Sequence, residues 1–316
     1  MKEFIINKND AGQRLDKFLS KTLKNLPQSL MYKSIRTKKI KVNRKRAEPD
    51  TVLCEGDSVL CFLAPEFLSD VYANDLFYTL KPSLNVVYED ENVIICDKRP
   101  GLLSHPDDQG DNNTLIEHIK AYLYKKGEYE PEKENSFVPS LCNRIDRNTG
   151  GLVIAAKNAA ALRDMNEMIR ARKVSKYYLC AVHGVPPQKE ATLTAYLYKD
   201  TKNNTVTVYD KPKQGRVKIV TGYKVLAEKN GASLLEVRLY TGKTHQIRSH
   251  LSYIGHPLLG DGKYGVSRDD KKAGYKYQAL YSYKLVFEEG VGSLSYLSGK
   301  TVEADRENVW FFTDFQ

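Results

Sequence analysis

The sequence has no cysteines placed to work together. Cys54, Cys61, Cys96, Cys142 and Cys180 are odd in number and scattered, and none forms a Cys-x-x-Cys pair. This argues against a disulfide framework and a zinc site and fits reduced thiols in a cytoplasmic protein. No metal is expected. Apolar runs of membrane-spanning length are also missing. The first residues alternate charge at Lys2, Glu3, Lys8 and Asp10, with no signal-peptide core. Secretion by a standard signal and membrane insertion are therefore disfavoured. Internal repeats and low-complexity tracts are absent too. Acidic residues are the remaining shortage: 39 against 49 basic ones, a net charge of +10. A polyanion is the first partner to consider. The shortage is sharpest from Lys33 to Arg46. That stretch holds Lys33, Arg36, Lys38, Lys39, Lys41, Arg44, Lys45 and Arg46 and no acid at all.

What is present fits a catalytic domain joined to a small module, over 316 residues. A hydrophobic fraction of 41% is compatible with a packed core. Phe4 to Ile6 reads as a strand. Leu15, Phe18, Leu19 and Leu23 recur at helical spacing. A second helix is expected from Pro27, as a first-turn residue, to Thr37. Lys39 to Asn43 alternates like a strand, Asn43 to Arg46 turns the chain, and Ser58 to Leu63 returns it. The basic run thus spans a helix end and a hairpin. Ala64 to Lys81 has no clear period and reads as a linker.

Farther on, Leu84 to Lys98 reads as a hairpin. Asp107 to Asn113 is a polar loop, and Thr114 starts a helix with Leu115, Ile119 and Leu123. Gly127 to Ser136 is charged and reads as mobile. Asn158 is expected to cap a helix carrying Leu162, Met165 and Ile169. Val174 to Gly184, rich in β-branched and aromatic residues, reads as a strand. Strands fill 190 to 240, with turns at Asp200 to Asn204 and Asn230-Gly231. Thr244 is expected to cap a further helix and Gly255 to stop it. Its Ile247, Leu251 and Ile254 are the buried face, and His245, Arg248 and Ser252 form another. Thr241-Gly242-Lys243-Thr244 lacks the leading glycine and spacing of a phosphate loop, so no nucleotide cofactor is expected. Trp310 to Phe312 reads as a final core element.

The chain is organised around Asn143-Arg144-Ile145-Asp146-Arg147-Asn148-Thr149-Gly150-Gly151, followed by the apolar run Leu152 to Ala156. The run suits a buried strand, and the polar half is turn chemistry held against it. Asp146 lies between two guanidinium groups in sequence, which favours its ionised form. A fixed, charged aspartate on a loop suits a nucleophile or an electrostatic anchor. An aspartate that caps its own loop is the simpler reading of the spacing alone.

Arg-Ile-Asp-Arg-Asn-Thr-Gly-Gly-Leu resembles His-Arg-Leu-Asp-Arg-x-Thr-Ser-Gly-Leu, the signature of the RluA family of RNA pseudouridine synthases. Asp146 falls on that family's catalytic aspartate. Asn143 stands where the family has His, and Gly150 where it has Ser. Tyr-Glu-Asp at 88–90 and Lys98-Arg99-Pro100-Gly101-Leu102 through His105-Pro106 resemble the opening motif, with Arg99 intervening; His105 reads as a structural or RNA-contacting loop residue. Lys176 to Gly184 resembles the motif in which Tyr178 matches the active-site tyrosine. Thr241 to Leu251 and Gly255-His256-Pro257-Leu258 through Gly265 resemble the third motif, where Arg248 matches the active-site arginine and Lys243 replaces a common Arg. The helix-helix-hairpin at the start resembles the S4 RNA-binding domain.

The resemblance implies an α+β protein. An S4 (α-L) domain at 1–63 and a linker at 64–83 would precede a mixed α/β catalytic domain at 84–316, built on a mostly antiparallel sheet. It implies a cytoplasmic monomer that isomerises uridines without a cofactor, in large-subunit (23S) ribosomal RNA; transfer RNA is the alternative substrate. Asp146 would be the nucleophile, Arg248 its ion-pair partner, and Tyr178 the residue that packs on the base and moves a proton. Addition to the base, attack on the sugar and elimination to a glycal all remain open for Asp146. Expected RNA contacts are Arg36, Lys38, Lys39, Lys41, Arg44, Lys45 and Arg46, together with Arg144, Arg147, His245 and Gln246. One rival is a non-catalytic RNA-binding or ribosome-assembly factor. A glycosidase-like hydrolase is another, but it would pair two carboxylates, and the motifs offer no second one with a matching role.

Overall fold

In a computed structural model the structure describes residues 1–68, 76–106, 110–203, 205–265 and 268–316. Parts of the expected linker (69–75), of the Asp107 to Asn113 loop (107–109) and of the Asp200 to Asn204 turn (204) lie outside the described residues. Two compact units emerge, each assembled from stretches distant in the chain. The first takes Met1–Ser83, Ile116–Ser140 and Ala156–Arg163; the second takes Leu84–Leu115, Leu141–Ala155 and Asp164–Gln316.

The first unit begins with β1 (Lys2–Ile5), α1 (Leu15–Thr22), α2 (Gln28–Arg36), β2 (Ile40–Val42), β3 (Lys45–Arg46) and β4 (Ser58–Cys61). The strands pair in the order β1-β4-β2-β3. Phe18 and Leu19 of α1 and Met31 and Ile35 of α2 share one core with Phe4, Ile40, Leu53 and Val59. Pro27 stands at the cap of α2, not in its first turn. Asn43 and Arg44, with φ of 50° and 62°, make the two-residue turn between β2 and β3. Positive φ at both positions matches the twist of a tight hairpin. Lys45 and Arg46, expected in that turn, are instead strand residues.

Two loop readings change. Gly127 to Ser136, expected to be mobile, is tied down by Asp10. That carboxylate is fully buried and accepts from the Ser136 backbone N–H (3.1 Å), the Ser136 hydroxyl (2.5 Å) and Asn135 Nδ2 (2.6 Å). Sequence pattern misses this because the partners are 125 and 126 residues apart. The stretch read as a linker contains Phe77, which is buried against Tyr124 and Tyr129.

Onward the elements are β5 (Val86–Glu89), β6 (Val93–Lys98), α3 (Leu115–Lys126), β7 (Ser140–Leu141), β8 (Gly150–Ala156), α4 (Ala159–Arg170) and β9 (Val174–His183). Then come β10 (Glu190–Asp200), β11 (Thr205–Tyr209), β12 (Val217–Lys229), β13 (Ala232–Leu239), α5 (Gln246–Tyr253), α6 (Arg268–Lys272), β14 (Leu280–Phe287) and β15 (Thr301–Glu303). The main sheet runs β11-β10-β12-β13-β9-β14-β8-β6-β5, with β15 on β14 and β7 on β8. It is mostly antiparallel; β14 and β8 run parallel. Asn158 Oδ1 caps α4 by accepting from the Ala161 N–H at 2.9 Å. No helix among the described residues is long and apolar enough to cross a membrane.

Strand β8 is buried along its whole length, which places the Asp146 loop at the edge of a rigid element. Gly151 makes the entry possible. Its φ is +111°, and a Cβ there would lie 2.2 Å from the Ser282 carbonyl oxygen of the parallel neighbour. Gly151→Ala therefore combines left-handed strain with a backbone clash, a cost of about 2–5 kcal/mol. The variant should unfold several degrees below the wild type in a thermal melt followed by circular dichroism. An unchanged melting temperature would show that this close approach does not constrain the fold.

Candidate active site

Asp146 lies in the loop between β7 and β8, and the carbonyls of Ile145, Asp146 and Arg147 are held. Lys98 Nζ donates to the Arg147 carbonyl at 3.0 Å and the Gly101 N–H donates to it at 2.9 Å. Ser104 donates to the Ile145 carbonyl at 3.0 Å. The Thr149 N–H closes a turn onto the Asp146 carbonyl at 3.1 Å, and Gln278 Nε2 donates to the Thr149 hydroxyl at 3.2 Å. Asn143 braces the loop from below, its Oδ1 accepting from the Ile154 N–H of β8 at 2.8 Å. These bonds fix the backbone, so the carboxylate is presented with little freedom. Its side chain keeps 28% of its surface exposed, enough for a reacting group to reach.

The partner of that carboxylate is Arg248 on α5, whose Nη1 lies 2.8 Å from Asp146 Oδ2. Arg144 and Arg147, its neighbours in sequence, are exposed instead, and Arg147 turns to the Gly101 carbonyl and to Asp111. Arg248 is itself held by Asp261: Nε donates to Oδ2 at 2.7 Å and Nη2 to Oδ1 at 2.8 Å. A planar guanidinium can serve both carboxylates at once, through two edges of its fork. Burial favours the neutral form of Arg248, but Asp261 and Asp146 outweigh it and hold the group above its ordinary value. Burial likewise opposes the charge of Asp261. Arg248 and the backbone N–H groups of Lys263 and Tyr264 overcome this and hold its carboxyl below the usual range.

Tyr178 on β9 is buried, opposite Ser282 of β14. Burial, aided by the Asp146 charge and opposed by a hydrogen bond with Ser282, pushes its phenol up to about 12. It is therefore a neutral phenol at physiological pH. Tyr177 sits apart, its ring 4.5 Å from Lys284 Nζ and 5.5 Å from the Arg238 guanidinium. Lys98 is buried with three carbonyl acceptors, Leu102 (2.7 Å), Arg147 (3.0 Å) and Arg99 (3.2 Å). Burial pulls it down to about 7 against the charges of Asp146 and Asp97.

The expected RNA contacts divide. Arg36, Lys38, Lys39, Arg44, Lys45 and Arg46 are exposed and Lys41 is half-buried, all within the first unit. Gln246 does not belong to a binding surface. It is buried, donates to the Val220 carbonyl and the Thr221 hydroxyl, and accepts from the Thr241 hydroxyl and the Lys243 N–H. Its amide is fully used inside the protein. His245 stands at the start of α5 in place of Thr244, with φ +52°, and its side chain is 9% exposed. Gly255 ends α5 as expected: its N–H and that of His256 donate back to Ser252 and Leu251, which closes a Schellman turn. His105 keeps much of its surface exposed, yet partial desolvation of its ring and then the Arg144 charge keep it below the ordinary histidine value.

Sequence reasoning missed Asp261, Tyr264 and Lys98 as site residues, although each stands in a quoted motif. The motifs do hold a second carboxylate, but Asp261 faces Arg248 and is fully buried, so it is no glycosidase partner. Gly150 also gains a reason. A Cβ there would lie 2.5 Å from the ring of Tyr281, whose hydroxyl donates to Asp97 at 2.6 Å, so a serine would displace that ring.

The model of the RNA pseudouridylate synthase family matches residues 92–253, and the S4 domain model matches residues 13–59. An uncharacterized RNA pseudouridine synthase of Mycoplasma genitalium is 34% identical over 303 residues, 90% of this chain and 88% of that protein. The ribosomal large subunit pseudouridine synthase C of Buchnera aphidicola subsp. Schizaphis graminum is 34% identical over 272 residues, covering 82% and 79% of the two chains. That of Vibrio cholerae is 32% identical, covering 84% and 81%. The solved structure of human RNA pseudouridylate synthase domain containing 4 superposes with a TM-score of 0.57 at 20% identity, over 73% of this chain and 94% of that one, a likeness of fold. By its family model, its relatives and its motifs, this chain belongs to the RluA family of RNA pseudouridine synthases and carries an S4 domain.

Proposed function

We propose that this synthase acts on uridines of large-subunit ribosomal RNA, with Asp146 as nucleophile, Arg248 as its ion-pair partner and Tyr178 as the proton-handling residue. The substrate follows the printed names of the Buchnera and Vibrio relatives. The roles rest on one observation: a loop carboxylate is fixed at 2.8 Å from a guanidinium that a second, buried carboxylate holds in place. We assign the S4 domain to 1–63, its connection to 64–83 and the catalytic domain to 84–316. The exposed cations from Arg36 to Arg46 then supply phosphate contacts, which give affinity without reading bases. Arg144 and Arg147 complete the contacts near the reacting nucleotide.

The chemistry is an isomerisation. The N1–C1′ bond breaks, the base turns, C5–C1′ forms, the C5 proton leaves and N1 gains one. Nothing is oxidised and no group is exchanged, so the enzyme is assigned no cofactor and no metal, and it is read as a cytoplasmic monomer. The uridine must leave its stack, at a cost of a few kcal/mol. Addition of Asp146 to the base, its attack on C1′ and elimination to a glycal all need a charged, fixed carboxylate. Arg248 supplies the charge balance and the sheet supplies the fixation. A neutral phenol is not itself a base, so Tyr178 acts as a relay: it releases its own O–H proton as it takes the C5 proton and ends neutral.

Asp146→Asn keeps size and polarity but removes the charge. RNA binding should stay within a few-fold of wild type, and tritium release from C5-tritiated uridine should vanish. Pseudouridine mapping in a deletion strain should show the loss confined to large-subunit ribosomal RNA and restored by wild type but not by Asp146→Asn. Multiple turnover by that variant would sink the nucleophile, and a loss confined to transfer RNA would overturn the substrate.

Tyr178→Phe keeps the ring and removes the hydroxyl, so single-turnover product formation should fall by roughly 10²–10⁴-fold. Tyr177→Phe, which keeps the ring that faces Lys284 and Arg238, should be nearly silent. A large loss in the Tyr177 variant beside a normal Tyr178 variant would contradict the assignment.

A further inference from the structure

We infer that His245 is a positioning residue whose tautomer is set by Tyr264, so that its Nε2–H and Arg248 both bind Asp146 Oδ2 and leave Oδ1 as the oxygen that meets the nucleotide. The inference rests on the reading of Asp146 as nucleophile. Among the described residues Oδ1 of Asp146 takes no hydrogen bond, whereas Oδ2 faces Arg248 Nη1 at 2.8 Å and His245 Nε2 at 3.9 Å.

The tautomer follows from a short chain of hydrogen bonds. The Val206 N–H of β11 donates to the Tyr264 hydroxyl oxygen at 3.0 Å. With one acceptor site of that oxygen filled, we assign the hydroxyl's own proton to His245 Nδ1, 2.8 Å away. A neutral imidazole that accepts at Nδ1 carries its hydrogen on Nε2. Nε2 is the nitrogen turned to Asp146. The 3.9 Å gap is long for a hydrogen bond, as such contacts often are before a substrate closes the site. His245 also holds a left-handed backbone, φ +52°, at the start of α5. That conformation is uncommon for a non-glycine residue and persists where the surroundings dictate it.

The charged groups around the ring are Asp146 from the loop before β8, Arg248 from α5, and Asp261 and Lys263 from the segment after it. Burial, Arg248 and Lys263 favour the neutral ring over the opposing carboxylates, which keeps it below the ordinary histidine value of 6.5. At neutral pH His245 is therefore a neutral donor. Protonation adds a proton at Nδ1, where the Tyr264 hydroxyl already points its own, and breaks the chain.

Single-turnover tritium release from C5-tritiated RNA of the deletion strain, measured against pH, tests this. Wild type should lose rate along an acid limb below pH 6.5. His245→Gln keeps a neutral donor at the reach of Nε2. It should retain at least a tenth of the wild-type rate constant and lose the limb. His245→Leu should fall about 10²-fold in rate constant with RNA affinity within a few-fold, a loss of the order of one catalytic hydrogen bond. Tyr264→Phe keeps the ring but removes the donor that favours neutral His245, so its acid limb should move to higher pH. Equal losses in the Gln and Leu variants, or an unmoved limb in Tyr264→Phe, would overturn the inference while an inactive Asp146→Asn leaves the nucleophile standing. An active Asp146→Asn would instead remove the premise.

Discussion

One guanidinium holds the site together. Arg248 presents two edges: the Nε–Nη2 edge is taken by the fully buried Asp261, and Nη1 remains for Asp146. Two carboxylates near one buried cation would repel each other if either were free to move. Breaking a buried ion pair by removing one partner typically costs about 3–5 kcal/mol, because the other charge is left stranded. Asp261 therefore does more than neutralise. It fixes the rotation of the guanidinium, and that rotation decides where the Asp146 carboxylate rests.

The sheet makes this arrangement possible by bringing three distant segments to one place. The Asp146 loop feeds β8, Tyr178 lies on β9, and both strands flank β14. The close backbone approach at Gly151 lets the loop enter β8 beside Ser282 of β14. Buried Lys98 then ties the turn at Arg99 to Leu102 to the carbonyl of Arg147, so the aspartate's own neighbour is anchored. Flexibility is removed from the loop before any substrate arrives, which is how positioning lowers a barrier.

Much of this was legible in the sequence, for a physical reason in each case. Helix α1 follows from apolar residues at helical spacing, α2 from its Pro27 start and the end of α5 from the Gly255 stop, whereas Ile254, expected on the buried face of α5, is only half-buried and burial runs all round Gln246 to Leu251. The pairing of Asp146 with Arg248 came from motif resemblance alone, since the two residues are 102 positions apart. Local charge points the wrong way: the arginines beside Asp146 are exposed, and its partner comes from α5. Gln246 was misjudged because a polar residue in a polar motif reads as a surface group, whereas its amide knits α5 to β12. Asp10 and the loop to Ser136 were invisible because no pattern links residues so far apart. The role of Asp261 was hidden for the opposite reason, its motif being plain while its partner was not.

The most direct test of the account is Arg248→Lys. Lysine keeps the positive charge but is a single point, and it cannot bridge Asp261 and Asp146 in the fixed geometry of the fork. The account predicts a folded protein with RNA affinity within a few-fold of wild type and a single-turnover rate lower by at least 10²-fold. A near-normal rate would contradict it, by showing that positive charge alone, without the shared guanidinium, suffices to place Asp146.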